Sequence, residues 1–376
     1  MELTVDSRTL ADTLAWTTRF APARPTVPIC AAIHLTATTD GTLTTTATDY
    51  ATTARANIDA HVTTPGQAAV SSRILAAVTA RLGDGPATLR LDGPRLHISC
   101  GTTNYTLITM AAEDYPTAPD APEAIGEVDA ADLAAAVTHV ASSASTEDAL
   151  PQLGGLSVHY NGQLTLGATD RYRVTARTLD WTPAGDPAGA LLAPPAAITA
   201  ATRGMTGTIT LGADTNLLSL SDGTRTVITT LMDADGYPDL ARVLARAADT
   251  PPLATATVAV ADLVAAIDRA AAIVTDPKGD IRLTVSDDQI TVDAGTDDTS
   301  ATTTGATTTG HLSALYNPRF LTPLVKSLGT AAVTLHLTGD SAQAPTYVTG
   351  TTADGTQATG SALIAPKRRK SPAVAA

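Results

Sequence analysis

Three stretches of this chain repeat one pattern, in which a short alternation of apolar and polar residues leads into apolar residues at helical spacing. The first stretch centres on Leu10, the second on Leu133 and the third on Leu263, which are 123 and 130 residues apart. Alternation predicts a strand, and apolar residues three or four positions apart predict an amphipathic helix. A period this long predicts a repeated domain, because solenoid units span only roughly 20–50 residues.

In each repeat the first helix leads to a strand pair, a second short helix and further strands. The second helices are predicted at 71–82, 194–203 and 317–328. Two of the strand pairs end in Thr-Asp, at Thr48-Asp49 and at Thr169-Asp170, 121 residues apart. Helices that cover one face of antiparallel sheets define an α+β fold.

The domain prediction places three repeats at 1–121, 126–245 and 253–366, followed by a basic tail at 367–376. The stretches 116–126 and 245–252 are rich in proline and alanine, which is typical of linkers.

Charge is distributed unevenly along the chain. The sequence has 37 acidic and 24 basic residues, with a net charge of −13, which argues against nonspecific binding of nucleic acid by the whole surface. The three second helices and their ends nevertheless carry no acid and five bases: Arg73, Arg81, Arg203, Arg319 and Lys326. One interpretation is a shared positive surface that faces phosphates. The alternative is that cations simply favour helix C-termini, which fits Arg81, Arg203 and Lys326.

The sequence contains no recognisable catalytic constellation. It has no Walker loop, GxGxxG, GxSxG or HExxH motif, and its seven histidines are not at ligand spacing. Cys30 and Cys100 are expected to be buried free thiols. We therefore expect a binding protein that is not an enzyme, with no cofactor and no metal. The absence of a signal peptide and of a long apolar run predicts a cytoplasmic protein.

Four local motifs resemble those of the bacterial sliding clamp, the beta subunit of DNA polymerase III, in an actinobacterial but divergent form. They are RPTVPI at 24–29, ATDRYRV at 168–174, the segment 231–244 with YPD at 237–239, and NPRFL at 317–321. Their order and spacing span essentially the whole chain.

The resemblance implies a head-to-tail dimer that closes into a ring around duplex DNA and holds the replicative polymerase on it. The implied dimer contacts are Tyr105 and Leu107 on one copy and Ile273 and Val274 on the other. The implied DNA contacts are Arg24 and Arg73, with Arg203, Lys278, Arg319 and Lys326 as weaker candidates. Phosphate contacts carry no base information, so such a ring slides along any sequence.

The resemblance also implies a pocket that binds short peptide motifs of the polymerase alpha subunit, the clamp loader and other partners. The matching positions are Leu153, Thr169, Arg171, Tyr172, Arg173, Val174, Pro238, Val243, Ala344, Thr346, Leu363 and Ala365. Ordinary packing at a domain junction is the alternative for each of them.

The C-terminus departs from the family pattern. Ala365 stands where the family has methionine, and a basic run follows at 367–370. Two alternatives therefore stay open: a specialised clamp copy, such as an antibiotic-resistance or plasmid-borne one, and a clamp-like scaffold that does not bind DNA.

Overall fold

A computed structural model describes residues 1–147, 149–276, 279–294, 302–341, 343–352 and 357–367. The described residues form seven α-helices: α1 (Ser7–Thr17), α2 (Ser72–Thr79), α3 (Ala130–Ala141), α4 (Pro195–Thr202), α5 (Leu240–Ala248), α6 (Val260–Ala271) and α7 (Pro318–Ser327). None of these helices is long and apolar enough to cross a membrane.

The strands fall into three groups along the chain. Up to residue 121 they are β1 (Glu2–Asp6), β2 (Ala32–Ala37), β3 (Thr42–Thr48), β4 (Thr52–Asp59), β5 (His61–Thr64), β6 (Gly66–Ser71), β7 (Pro86–Asp92), β8 (Arg95–Cys100) and β9 (Thr103–Met110). The next group is β10 (Ala124–Asp129), β11 (Leu156–Asn161), β12 (Gln163–Thr169), β13 (Arg173–Leu179), β14 (Trp181–Pro183), β15 (Ala188–Ala193), β16 (Thr208–Ala213), β17 (Leu217–Ser221) and β18 (Arg225–Thr230). The last group is β19 (Ala254–Ala259), β20 (Ile281–Ser286), β21 (Gln289–Asp293), β22 (Thr302–Gly305), β23 (Thr307–Thr309), β24 (Leu312–Tyr316), β25 (Ala332–Leu337), β26 (Thr346–Thr351) and β27 (Gln357–Ile364).

Contacts divide the chain into two compact units. Unit 1 consists of Met1–Ala134, Trp181–Pro187 and Ala196–Leu231, and unit 2 consists of Ala135–Asp180, Ala188–Pro195 and Met232–Ala376. The three-domain division proposed from the sequence is a finer one, and it stays a prediction.

Unit 1 is built on one antiparallel sheet of fourteen strands, in the order β14-β10-β16-β17-β18-β4-β3-β2-β6-β9-β8-β7-β1-β5. Strand β18 continues the sheet into β4, with Val227 opposite Ala54. Alternate residues of the strands face the helices, so Leu3 of β1 and Leu10 and Leu14 of α1 are fully buried.

Unit 2 contains two antiparallel sheets. One has nine strands in the order β15-β11-β12-β13-β27-β26-β25-β19-β23, and the other has four in the order β22-β21-β20-β24. Leu263 and Ile267 of α6 and Leu324 of α7 are buried in a common core with residues of both sheets. The predicted α+β arrangement of helices on antiparallel sheets is confirmed.

Two of the repeated strand-to-helix junctions have the same physical basis. The Asp6 carboxylate accepts the backbone N–H of Thr9 at 2.9 Å, and the Asp129 carboxylate accepts that of Asp132 at 3.1 Å. Each aspartate caps a helix N-terminus, where four backbone donors lack intrahelical partners. The sequence repeat therefore corresponds to a repeated structural element.

Two details of the predicted secondary structure were wrong. Residues 245–248, predicted as linker, are the last turn of α5, whose Leu240 and Leu244 are buried. Helix α2 ends at Thr79 instead of near Leu82.

Candidate functional site

Two predicted DNA contacts lie near neighbouring elements of unit 1. Arg73 is in the first turn of α2, and Arg24 is in the loop that follows the 3-10 turn Thr18–Phe20. Helix α2 packs against both α1 and that turn. Both side chains are exposed, and neither forms an ion pair with a residue that the structure describes. Both charges are therefore available to an anion.

The other second-helix cations of unit 1 differ in their surroundings. Arg203 lies just beyond α4 and is exposed. Arg81 folds back so that its guanidinium donates to the carbonyl of Ala77 at 2.7 Å. The helix-terminus alternative thus accounts for Arg81, which satisfies a carbonyl of its own helix.

Arg319 and Lys326 are exposed on α7 of unit 2. Arg319 lines a shallow cleft together with Asp268 and Asp276, so acids partly offset its charge. Lys278 lies outside the described residues.

The turn between β12 and β13 organises several of the predicted pocket positions. The Asp170 carboxylate accepts the backbone N–H groups of Tyr172 at 3.0 Å and Arg173 at 2.7 Å. Its other oxygen receives both the Nε–H and an Nη–H of Arg173, at 2.9 and 2.8 Å. Arg171 takes a positive φ of 75° in this turn. Because Arg173 is only 7% exposed, it shapes the turn from inside.

The same turn occurs 121 residues earlier in unit 1. There the Asp49 carboxylate accepts the N–H groups of Ala51 and Thr52, and Tyr50 has a φ of 73°. The equivalence of the two Thr-Asp pairs, inferred from their spacing, therefore extends to backbone geometry.

Phe320 is a pocket-side residue that sequence reasoning missed. Its ring stacks on Tyr172 with centroids 5.1 Å apart, and the Arg173 guanidinium lies 5.0 Å from its centroid. The signal was present in the NPRFL motif, whose phenylalanine follows the capping Asn317 by three positions. The backbone N–H of Ala365 donates to the carbonyl of Tyr172 at 2.9 Å, which brings the end of β27 to the same place.

Helix α5 forms the apolar side of this region. It packs on β13, β26 and β27, where Ala176, Leu244 and Leu363 make a small buried cluster with Val174 beside it. Gly167 of β12 permits the close approach, because a Cβ there would lie 2.9 Å from Leu240 Cδ1.

Tyr237 connects the start of α5 to the strands below. Its hydroxyl donates to the carbonyl of Gly155 at 3.5 Å, and burial raises the pKa of Tyr237 to about 12. Pro238 follows directly, so this contact fixes the backbone immediately before it.

The predicted pocket positions fall into three groups by exposure. Leu153, Thr169, Arg173, Thr346 and Leu363 are buried; Val174, Ala344 and Ala365 are half-buried; and Arg171, Tyr172, Pro238 and Val243 are exposed. Thr346 receives or donates a 2.5 Å hydrogen bond with the hydroxyl of the buried Tyr316. We expect the exposed and half-buried positions to form the surface of the predicted pocket and the buried positions to support it.

A second depression of about 580 Å³ lies along the other side of α5. It is lined by Ala241 and by the polar His159, Gln163 and Thr178, and it shares only Pro238 with the predicted pocket. Val243 and Ala241 point to opposite sides of α5, because residues advance about 100° each around a helix. The predicted pocket is thus the flank of α5 that carries Val243.

The predicted dimer contacts lie on two features, one in each unit. Tyr105 and Leu107 are half-buried on β9, which pairs with β6 through Thr109 and Met110 alone among the described residues. Ile108, missed at the sequence level, is 81% exposed beside them. In unit 2, Ile273 is 47% exposed at the end of α6. Val274 packs against the core.

Comparison with known proteins identifies the family. Residues 1–119 match the model of the DNA polymerase III beta subunit N-terminal domain, and residues 127–239 match that of its central domain. The beta sliding clamp of Micrococcus luteus is 33% identical over 311 residues, covering 80% of this chain and 97% of the relative. The chain belongs to the beta sliding clamp family.

Two further comparisons bear on the sliding-clamp assignment. The beta sliding clamp homolog GriR of Streptomyces muensis is 29% identical over 330 residues, covering 85% of this chain and 87% of the relative. The crystal structure of a Pseudomonas aeruginosa sliding clamp bound to griselimycin has a TM-score of 0.86 at 21% identity, covering 98% of this chain and all of that one. The similarity to the Pseudomonas aeruginosa structure shows that the two proteins share a fold.

Membership confirms the resemblance stated from the four motifs. It also confirms the predicted function class, since sliding clamps are non-catalytic processivity factors and not enzymes. The individual contact residues remain predictions.

Proposed function

We propose that this chain forms a homodimeric ring that encircles duplex DNA and tethers the replicative polymerase, in the cytoplasm where DNA is replicated. The observation that carries the proposal is the pairing of family membership with exposed arginines that no described acid neutralises. Arg24, Arg73 and Arg203 all have this property within unit 1. A chain of net charge −13 that keeps such cations free is suited to hold DNA on one surface and repel it elsewhere.

Ring closure is proposed to join two strand edges from different copies. Residues 103–108 of β9 pair with no described residue on the side of β6, and β22 stands at the edge of the four-stranded sheet. Helix α6, which leads to Ile273 and Val274, packs against β22. A head-to-tail contact of these edges would pair both of them and remove exposed apolar surface at Ile108 and Ile273.

The partner-peptide pocket is proposed on the Val243 flank of α5. Val243 and Tyr172 supply exposed apolar surface, Val174 and Ala365 supply the floor, and the Asp170-ordered turn supplies polar backbone. Such a mixture fits a short peptide that anchors an apolar side chain and fixes its direction with a few hydrogen bonds. DNA would contact Arg24 and Arg73 most closely, with Arg203, Arg319, Lys326 and Lys278 in support.

Processive primer extension tests the proposed function. With a clamp loader and the replicative polymerase of an actinobacterium, we expect longer products when the protein is present and a solution mass of two chains. Product length that is unchanged while the protein is dimeric would contradict the tethering role.

A second candidate function, that of a specialised clamp copy, is favoured by two observations. The resemblance places Ala365 at the pocket position where the family has methionine, and a basic run follows at 367–370. Because alanine is smaller than methionine, the pocket loses part of its wall and the contacts that a methionine would make with an apolar ligand. Griselimycin binding distinguishes the two candidates: affinity restored by Ala365→Met would favour the specialised copy, whereas tight binding by the unaltered chain would favour the ordinary clamp.

A further inference from the structure

The C-terminal end of α4 is held by three side chains from other elements of unit 1. Trp16 of α1 donates its indole N–H to the carbonyl of Ala201 at 3.4 Å. Arg19 donates to the carbonyl of Arg203 at 2.5 Å, and Arg225, the first residue of β18, donates to the carbonyl of Gly204. The last carbonyls of a helix have no intrahelical partner. Trp16 satisfies one of them, at Ala201, while Arg19 and Arg225 bind the carbonyls of the two residues that follow the helix. We call Trp16, Arg19 and Arg225 the carbonyl latch.

The carbonyl latch is a packed arrangement. Trp16 is 2% exposed and its ring lies 5.1 Å from that of Phe20. The Arg225 guanidinium is 5.6 Å from the Trp16 ring centroid, within the range of a cation–π contact. Gly204 has a φ of +106°, and a Cβ on it would lie 3.3 Å from Trp16 Cδ1. The loop after α4 can therefore take this path only with glycine at 204.

The electrostatic effect of the carbonyl latch concerns Arg203. A helix C-terminus carries about half a negative charge on its free carbonyls, which would repel a nearby phosphate. Arg19 and Arg225 place two positive charges on the carbonyls of Arg203 and Gly204, directly beyond that terminus, and Arg203 itself is exposed without an ion pair to a described residue. The end of α4 thereby becomes a positive site although the helix contributes negative potential.

We propose that Trp16, Arg19 and Arg225 are positioning residues for DNA binding. They fix the Arg203–Gly204 loop and cancel the negative end of α4, so that the Arg203 side chain faces the phosphate backbone. This inference rests on the proposed function, in which Arg203 contacts DNA. Because α1 belongs to the first sequence repeat and α4 and β18 belong to the second, the carbonyl latch also joins two repeats next to the DNA-facing surface.

A double-mutant cycle on the full-length protein tests the proposal, with binding to a fluorescent DNA duplex followed by anisotropy over a range of salt concentrations. Arg203→Gln should weaken binding by about five- to tenfold and reduce the salt slope by about one, as for loss of one phosphate contact. Arg225→Gln should weaken DNA binding comparably. The double variant should bind no more weakly than Arg203→Gln alone, because both substitutions abolish the same phosphate contact. Additive losses would instead show that Arg225 contacts DNA by itself, and would overturn the positioning role.

Two variants distinguish the effect of the loop position from the effect of the Arg225 charge. Arg225→Lys keeps the charge but loses the planar fork that bonds Gly204 and covers Trp16, so we expect most of the loss seen with Arg225→Gln. Gly204→Ala changes no charge and should shift the loop, which we expect to weaken binding by at least threefold. Wild-type binding by both variants would overturn the proposal. Arg90→Gln, which removes a cation paired with Asp92, is the control and should bind as the wild type does. If Arg203→Gln itself has no effect, the DNA contact assigned to Arg203 fails, which is a different result from failure of the carbonyl latch.

Discussion

The ring of Tyr172 stacks on the ring of Phe320, with centroids 5.1 Å apart and planes inclined by 14°. Tyr172 lies in the turn between β12 and β13, and Phe320 lies in the first turn of α7. Tyr172 is 48% exposed, so one face of its ring packs on protein while the remainder is open. We propose that this pair contributes to the partner-peptide pocket.

Loss of the Tyr172 ring should weaken partner-peptide binding. Tyr172→Ala removes an aromatic contact worth about 1 kcal/mol, so a fluorescent clamp-motif peptide should bind about fivefold more weakly. Tyr50→Ala, at an exposed tyrosine in the equivalent turn of unit 1, is the matched control and should leave the affinity unchanged. An equal loss of affinity in the two variants would show that Tyr172 is not part of the pocket.

A charge at Val243 should abolish peptide binding and preserve the fold. Val243 is 39% exposed, so Val243→Asp places a carboxylate in water in the free protein and in an apolar contact in the complex. We expect an affinity loss of at least about tenfold, measured with the same peptide, and an unchanged solution mass. Leu363 is 3% exposed and unsuitable for this test, because its substitution would disrupt the buried cluster with Leu244. Leu253→Asp, at another exposed apolar residue, is the control; loss of peptide binding there would discredit the assignment of Val243.

Charge reversal at Arg24 and Arg73 should weaken DNA binding in a salt-dependent way. Each variant, Arg24→Glu or Arg73→Glu, should reduce the slope of log affinity against log salt concentration by about one or more. The reason is that a variant with one phosphate contact fewer releases fewer counterions from the DNA when it binds. Arg90→Glu makes the same charge change at a residue already paired with Asp92. If all three variants lose affinity equally, net charge and not contact explains the effect.

The buried His139 and the half-buried His34 and His336 predict that stability depends on pH below about 6.5. Burial lowers the pKa of His34, His139 and His336 below 6.5. The unfolded chain then takes up protons at higher pH than the folded one. The stabilisation is thus fully present above pH 6.5 and is lost as the pH falls through the folded-state pKa values.

His139 should dominate this effect. It is 1% exposed, its Nδ1 lies 3.1 Å from Ser327 Oγ, and nearby Arg177 further lowers its pKa. The free energy of unfolding, measured with urea at several pH values, should fall less steeply with acid in His139→Gln than in the wild type. His311→Gln, at an exposed histidine, should retain the wild-type slope. An unchanged slope in His139→Gln would refute the assignment.

The three first helices were predictable because each repeats an apolar spacing and begins after a strand. The Leu10, Leu133 and Leu263 side chains are all buried as the pattern predicted. Strand β4 was missed, since its threonine-rich alternation has no large apolar residue before Ile58. Helix α5 was missed although Leu240, Val243, Leu244 and Ala247 have helical spacing, because alanines after a motif resembled a linker.

The candidate site was less predictable than the fold for a physical reason. Arg171 and Tyr172 are exposed and Arg173 is buried, although the three residues are adjacent in sequence. Sequence position alone therefore does not show which of them a ligand can reach. Phe320 reaches Tyr172 only through packing between residues 148 positions apart. The donation from Arg19 to Arg203 likewise joins residues separated by 184 positions, which no local pattern reveals.

Retention on circular DNA tests the central claim, that two copies enclose a duplex, most directly. The protein is loaded on nicked circular DNA with a clamp loader, separated from free protein, and followed before and after linearisation by a restriction enzyme. We predict long-lived retention on circles and rapid loss from linear ends, and we predict that Ile108→Asp, at the proposed interface, is monomeric and never retained. Equal retention on circular and linear DNA would contradict topological enclosure, as would retention of a monomer.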